Sequence, residues 1–143
     1  MDITGVDHVV DVKGLILSPG LIDAHTHPVI GDWHPRHNVI GWMDGALHGG
    51  VTTIVSMGAS TIQGRPSDPA GVKALAIRGA KTGRNYRPGG GLKVHGGTIF
   101  LEKGLTKADF EELVREGVSV VAEIGGTGLF EYDDVKEYVD WAR

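Results

Sequence analysis

Read along its length, the chain alternates short apolar, β-branched runs with amphipathic stretches of helical period, and glycines mark the joints between them. No other feature limits the fold as strongly. The run Leu15–His27 contains a strand from Leu21. Asn38–His48 places Val39, Ile40, Trp42, Met43, Ala46 and Leu47 on one helical stripe, and Gly49-Gly50 supplies a left-handed stop. Val51–Met57 is compact and β-branched, the signature of a buried strand. Asp68-Pro69 reads as the N-cap and first position of a helix reaching about Lys81, with Val72, Leu75, Ala76 and Gly79 inward. Leu92–Phe100 is a third strand, interrupted near Gly96-Gly97. Thr106 caps the next helix, Asp109 answers the cap, Phe110, Leu113 and Val114 form the apolar face, and Gly117 ends it. Val118–Gly125 reads as a fourth strand. The last helix begins near Asp133-Asp134, with a stripe of Val135, Tyr138, Val139 and Ala142.

Strand followed by helix, repeated, with near-continuous apolar strands, predicts a parallel sheet covered by helices. Two layouts satisfy it: a small open α/β sheet, or half of an eight-stranded βα barrel. An open-sheet nucleotide binder needs GxGxxG after its first strand, whereas Leu21–Ala24 is followed by His-Thr-His-Pro. A chain of 143 residues is long enough to bury roughly 68–70% of its unfolded surface. Its 23 glycines have neither a collagen period nor a linker's clustering. The absence of cysteine excludes a disulfide scaffold, a thiolate metal site and a cysteine nucleophile. A net charge of −4 with scattered basic residues gives no footprint for nucleic acid. No apolar run has the length of a membrane span, and the opening residues lack a signal-peptide core. The expected setting is therefore cytoplasmic, with neither nucleic acid nor membrane as partner.

Candidate chemistry gathers at the first strand. His25 and His27 are two apart, so strand alternation points both imidazoles to one side, with Asp23 one step deeper. Two imidazoles at the carboxyl end of a parallel strand can converge on one zinc-type ion, and Asp23 can hold a ring N–H behind them. A solvated strand end carrying two histidines is the plainer alternative. Glu123 follows an apolar run, where a carboxylate is costly to bury unless paired or metal-bound. A salt-bridged strand-edge glutamate is its alternative. His95 ends the third strand and is a candidate substrate contact, or a loop histidine bonded to backbone. Arg65 can grip a substrate carboxylate with its planar fork, or serve loop packing. Lys93 reads as a snorkelling or paired strand lysine. His34 and His37 read as surface-loop residues.

The segment Pro19-Gly20-Leu21-Ile22-Asp23-Ala24-His25-Thr26-His27-Pro28 resembles the first-strand signature of the amidohydrolase superfamily, PGxIDxHxH. The stretches ALHGGVTTIVSMG, GRPSDPAGVKALA, LKVHGGTIFLEKGLT and EGVSVVAEIGG resemble successive blocks of its enamide-opening branch, so the likeness runs from about Ser18 to Arg143. The resemblance implies a distorted (β/α)8 barrel, of which residues 19–143 are the first four βα units. Residues 1–18 are a remnant of a small β-sandwich leading into it. It further implies His25 and His27 as ligands of the more buried metal, Glu123 as the bridging ligand from the fourth strand, and a divalent cation, zinc or a mixed zinc and iron pair. The implied activity is hydrolysis of a C–N bond in a small cyclic amide by a metal-activated hydroxide attacking the carbonyl.

The same family draws ligands for its second metal from the fifth and sixth strands, and its general-base aspartate from the eighth. None of those positions occurs here, so the 143 residues read as the first half of a barrel, inactive alone. Open sheet edges then favour self-association into a homo-oligomer. The competing class is a non-catalytic α/β metal-binding or interaction module derived from such an enzyme.

Overall fold

The computed structural model describes residues 5–27, 43–57, 64–86, 91–121, 129 and 131–143. Strands β1 (Leu21–Thr26), β2 (Val51–Ser56) and β3 (Lys93–His95) form a parallel sheet in that order. Strands β4 (Thr98–Ile99) and β5 (Val120–Val121) form a second parallel pair. Residues 43–48 are helical (α1), followed by α2 (Pro69–Arg84), α3 (Lys107–Glu116) and α4 (Tyr132–Trp141). The molecule is thus an α/β fold with parallel sheets, as the alternation requires. Val39, Ile40, Trp42, His34 and His37 lie outside the described residues, as does the expected fourth strand beyond Val121.

The expected third strand is divided at Gly96-Gly97 into β3 and β4 because α2 lies directly on that break. A Cβ on Gly79 would stand 2.4 Å from the Gly96 carbonyl oxygen, and one on Gly96 would stand 2.3 Å from that of Gly79. Only glycine against glycine permits the approach, and it sets which face of α2 is buried. Val72, Ala76, Gly79, Ala80 and Gly83 are covered, whereas Leu75, expected inward, is only half-buried. Asp68 caps α2 by accepting from the Gly71 N–H at 2.9 Å, with Pro69 leading the helix as expected.

The main core joins α2, β4, α3 and α4 through Ile99, Leu101, Phe110 and Leu113, with Val135 beneath α4. A second cluster of Met43, Ile54 and Leu92 packs α1 on the first sheet. In α3 the Asp109 carboxylate accepts from both the Thr106 backbone N–H (2.7 Å) and its hydroxyl (2.8 Å). Gly117 closes the helix at φ +89°. Val114 departs from expectation and is 70% exposed. On α4 the covered stripe is Val135, Tyr138 and Trp141, while Val139 and Ala142 are exposed. The reason is aromatic: Tyr138 and Trp141 rings lie 6.2 and 5.9 Å from Phe110 and 5.4 Å from each other, which orients the helix on that side. Glu131 is the N-cap of α4, and Asp134 reaches back to its N–H at 3.3 Å.

Residues 5–20 contain no assigned strand. They are ordered around a turn in which the Leu15 N–H donates to the Val12 carbonyl at 2.9 Å, with Lys13 at φ +46° and Gly14 at φ +86°. Both central residues are left-handed, the arrangement of hairpin-type turns.

Candidate metal centre

The first sheet sorts its side chains by register. Ile54, fully buried against Met43 and α1, pairs with Val94, and Ser56 pairs with the buried Thr26. These define the helix-covered face. Lys93 and His95 pair with Thr53 and Val55 on the opposite, open face. His25 and His27 flank Thr26 and therefore share that open face, where both are exposed. The end of β1 is fastened by the Met57 N–H to the Thr26 carbonyl (2.7 Å) and by the Thr26 hydroxyl to the Val55 carbonyl (3.1 Å). The histidine-bearing segment is thereby tied to its neighbour strand.

The two imidazoles converge. Their Nε2 atoms are 3.1 Å apart, with ring centroids 5.0 Å apart and planes inclined by 64°. Two nitrogens each about 2.0–2.1 Å from a tetrahedral ion stand about 3.3 Å apart. The observed spacing fits a shared divalent cation without movement of the strand, and it equally fits an N–H···N bond between one donor and one acceptor tautomer. Asp23 departs from the expected alternation, since a register shift falls between Asp23 and Thr26. Its carboxylate accepts the His25 backbone N–H at 3.2 Å, so in this arrangement it braces the strand rather than an imidazole ring.

The other candidates are distributed unevenly. His95 is exposed at the carboxyl end of β3 on the open face, with Lys93 two residues before it. Arg65 is engaged: its Nη1 donates to Glu102 at 3.0 Å and to the Pro66 carbonyl at 3.1 Å, and its guanidinium lies 5.1 Å from the Phe100 ring centroid. Glu102, which sequence reasoning did not single out, is buried. The available signal was a carboxylate directly after the apolar run Thr98–Leu101, the same pattern that drew attention to Glu123. Glu123 itself lies outside the described residues. Among the described residues, no group of three or more His, Cys, Asp or Glu side chains is placed to hold a metal ion.

No protein-family model matches the chain. Enamidase from Eubacterium barkeri is 46% identical over 135 residues, covering 94% of this chain and 35% of its own. Dihydroorotase from Wolbachia sp. subsp. Drosophila simulans (strain wRi) is 42% identical over 52 residues, covering 36% of this chain and 12% of its own. The crystal structure of enamidase, described as a new member of the amidohydrolase superfamily, superposes with a TM-score of 0.76 at 48% identity, covering 87% of this chain and 32% of that one. The chain therefore spans about a third of the length of enamidase. Across most of its own length it is a homologue of enamidase, a member of the amidohydrolase superfamily.

Proposed function

We propose that the chain carries the first metal-binding strand of a metal-dependent hydrolase that opens a C–N bond of a small cyclic amide. In this reading the described elements are consecutive units of a (β/α)8 barrel, preceded by a sandwich lead-in over residues 1–18. The convergence of the His25 and His27 Nε2 atoms at 3.1 Å supports it above any other observation. Enamidase supports the substrate class by its name and its 46% identity.

His25 and His27 are the protein's ligands for a divalent cation, zinc first among candidates and a mixed zinc and iron pair in a longer protein. Glu123 is the third ligand, on the strength of its sequence position. When bound, such an ion supplies Lewis-acid polarisation of a carbonyl and acidifies water. The residues of this chain hold and orient. Asp23 fixes the His25 backbone, and Thr26 fixes the strand end. His95 offers an imidazole N–H or lone pair to a substrate polar group from the same open face. The engagement of Arg65 with Glu102 favours a loop-fastening role for it over carboxylate recognition.

Titration of the chain with Co²⁺, followed by visible absorption, tests the assignment. One ion per chain is expected, with His25→Ala and His27→Ala each weakening binding at least about tenfold, or about 1.4 kcal/mol. Glu123→Gln is expected to weaken it as well, and His95→Ala to leave it unchanged. Retained binding in the two histidine variants, with far-UV circular dichroism intact, would refute the site.

A further inference from the structure

The pairing of β1 with β2 is irregular at the histidines. Asp23 stands opposite Ile54 and Thr26 opposite Ser56, so β1 takes three steps where β2 takes two. The extra residue makes a bulge within Asp23–Thr26. Register partners on parallel strands share a face, and Ile54 and Ser56 are both fully buried on the helix-covered one. The bulge thus brings Asp23 and Thr26 into the same phase although they are an odd number of residues apart. Continued from Asp23 without it, the alternation would send His25 and His27 to the helix-covered side with Ile54. With it, the two histidines flank Thr26 on the open face, the face that also carries Lys93 and His95.

One bond spans the bulge. Asp23 Oδ1 accepts the His25 backbone N–H at 3.2 Å, a side-chain acceptor at position i for the amide at i+2. Downstream, the Thr26 hydroxyl and carbonyl are tied to Val55 and Met57 of the neighbouring strand at 3.1 and 2.7 Å. His25 therefore lies between two fixed points. We propose that Asp23 is the positioning residue of the imidazole pair. By accepting the His25 amide it holds the extra residue of β1 in place, and so sets the face on which the two Nε2 atoms meet at 3.1 Å. Its acceptor oxygen does this, not its charge. Asp23 and His25 are both exposed, so a carboxylate there acts on a cation through a medium close to water and screened by salt, an effect of about threefold on binding. Loss of a partner that orients a ligand costs about ten- to a hundredfold. The consequence for a cation rests on the metal reading, whereas the bulge and the ring contact belong to the metal-free chain.

Three substitutions separate acceptor from charge. Asp23→Asn keeps an acceptor oxygen at the same reach and removes the charge. Asp23→Glu keeps the charge and displaces the acceptor by one methylene. Asp23→Ala removes both. Each is read twice: in the metal-free chain by nuclear Overhauser contacts between the His25 and His27 ring protons, and by Co²⁺ titration with the visible spectrum of the bound ion. Asp23→Asn should retain the ring contacts, the spectrum of the wild type and an affinity within about threefold of it. Asp23→Glu and Asp23→Ala should lose the ring contacts and weaken Co²⁺ binding about tenfold or more, with far-UV circular dichroism unchanged because the position is exposed. Ring contacts that survive in Asp23→Ala, or an Asn variant that falls with the Ala variant while Glu is retained, would overturn the proposal. If the wild type takes up no Co²⁺, the metal reading fails by itself and the ring contacts decide: their loss in Ala and Glu but not in Asn upholds the role of Asp23, and any other pattern overturns it.

Discussion

At the scale of single residues, Lys73 shows how a contact far apart in sequence decides local electrostatics. Its ammonium meets Asp109 at 2.6 Å and Glu112 at 2.7 Å, joining α2 to α3, with the Lys73 and Asp109 side chains only 18% and 17% exposed. The bond to Lys73 holds the Asp109 carboxyl below its ordinary range against the opposing effect of burial, with help from Thr106. Bonds to Asp109 and Glu112 raise Lys73 in turn. A lowered carboxylate stabilises the fold above the ordinary aspartate value of about 3.9 and loses that contribution as pH falls through its folded value. A raised lysine stabilises below about 10.4 and loses its contribution as pH rises through its folded value. The cluster is therefore fully effective across neutral pH. Lys73→Met should cost about 1–2 kcal/mol at pH 7. That difference should shrink as the medium is made acid below about pH 3, which urea unfolding at both conditions would reveal. A cost that grows toward acid would contradict the assignment. Arg84 reinforces the same helix pair by donating to the Glu116 carbonyl at 2.7 Å, where the α3 dipole is negative.

At the scale of elements, the contact between α2 and the Gly96-Gly97 break yields a prediction whose sign runs against helix propensity. Gly→Ala inside an exposed helix normally gains about 1 kcal/mol. At Gly79 the added methyl would meet the Gly96 carbonyl oxygen at 2.4 Å, with backbone on both sides and no flexible side chain to yield. Gly79→Ala should therefore destabilise by about 1–3 kcal/mol. A thermal midpoint at or above that of the wild type would show that the helix can move off the break. The same contact marks where the sequence stops being readable. β1, β2 and both ends of α3 follow from local patterns: β-branched runs, the Thr106–Asp109 cap and the left-handed Gly117. The separation of β3 from β4 does not, since it depends on glycines 17 positions apart, Gly79 and Gly96, meeting in space. The exposure of Val114 and Val139 was hidden for a similar reason. Helical period gives a stripe about 100° wide, and the Phe110–Tyr138–Trp141 aromatic contacts choose where within it the helices meet. In the candidate site, His25 and His27 were legible because strand alternation alone brings them together. The contacts of Asp23 and Arg65 were not, because one depends on a register shift and the other on Glu102, 37 residues away.

For the molecule as a whole, the open face decides what this chain can do by itself. His25, His27 and His95 all stand exposed on it, so charges there interact through a medium close to water. Two unit charges 4 Å apart interact by about 1 kcal/mol in water and about 4 kcal/mol in a surface-like protein environment. A carbonyl polarised at such an exposed site gains little of the stabilisation that an enclosed, preorganised site confers on its transition state. In the proposed reading, metal binding draws on the converging imidazoles with Glu123, whereas hydrolysis also needs the face enclosed. The isolated chain should therefore bind a divalent cation yet hydrolyse a simple cyclic amide such as a δ-lactam no faster than its His25→Ala variant. Prolonged incubation with chromatographic detection of the ring-opened amino acid measures this. Activity clearly above the variant would mean that two exposed imidazoles suffice, and that the open face is itself the working site rather than the floor of one.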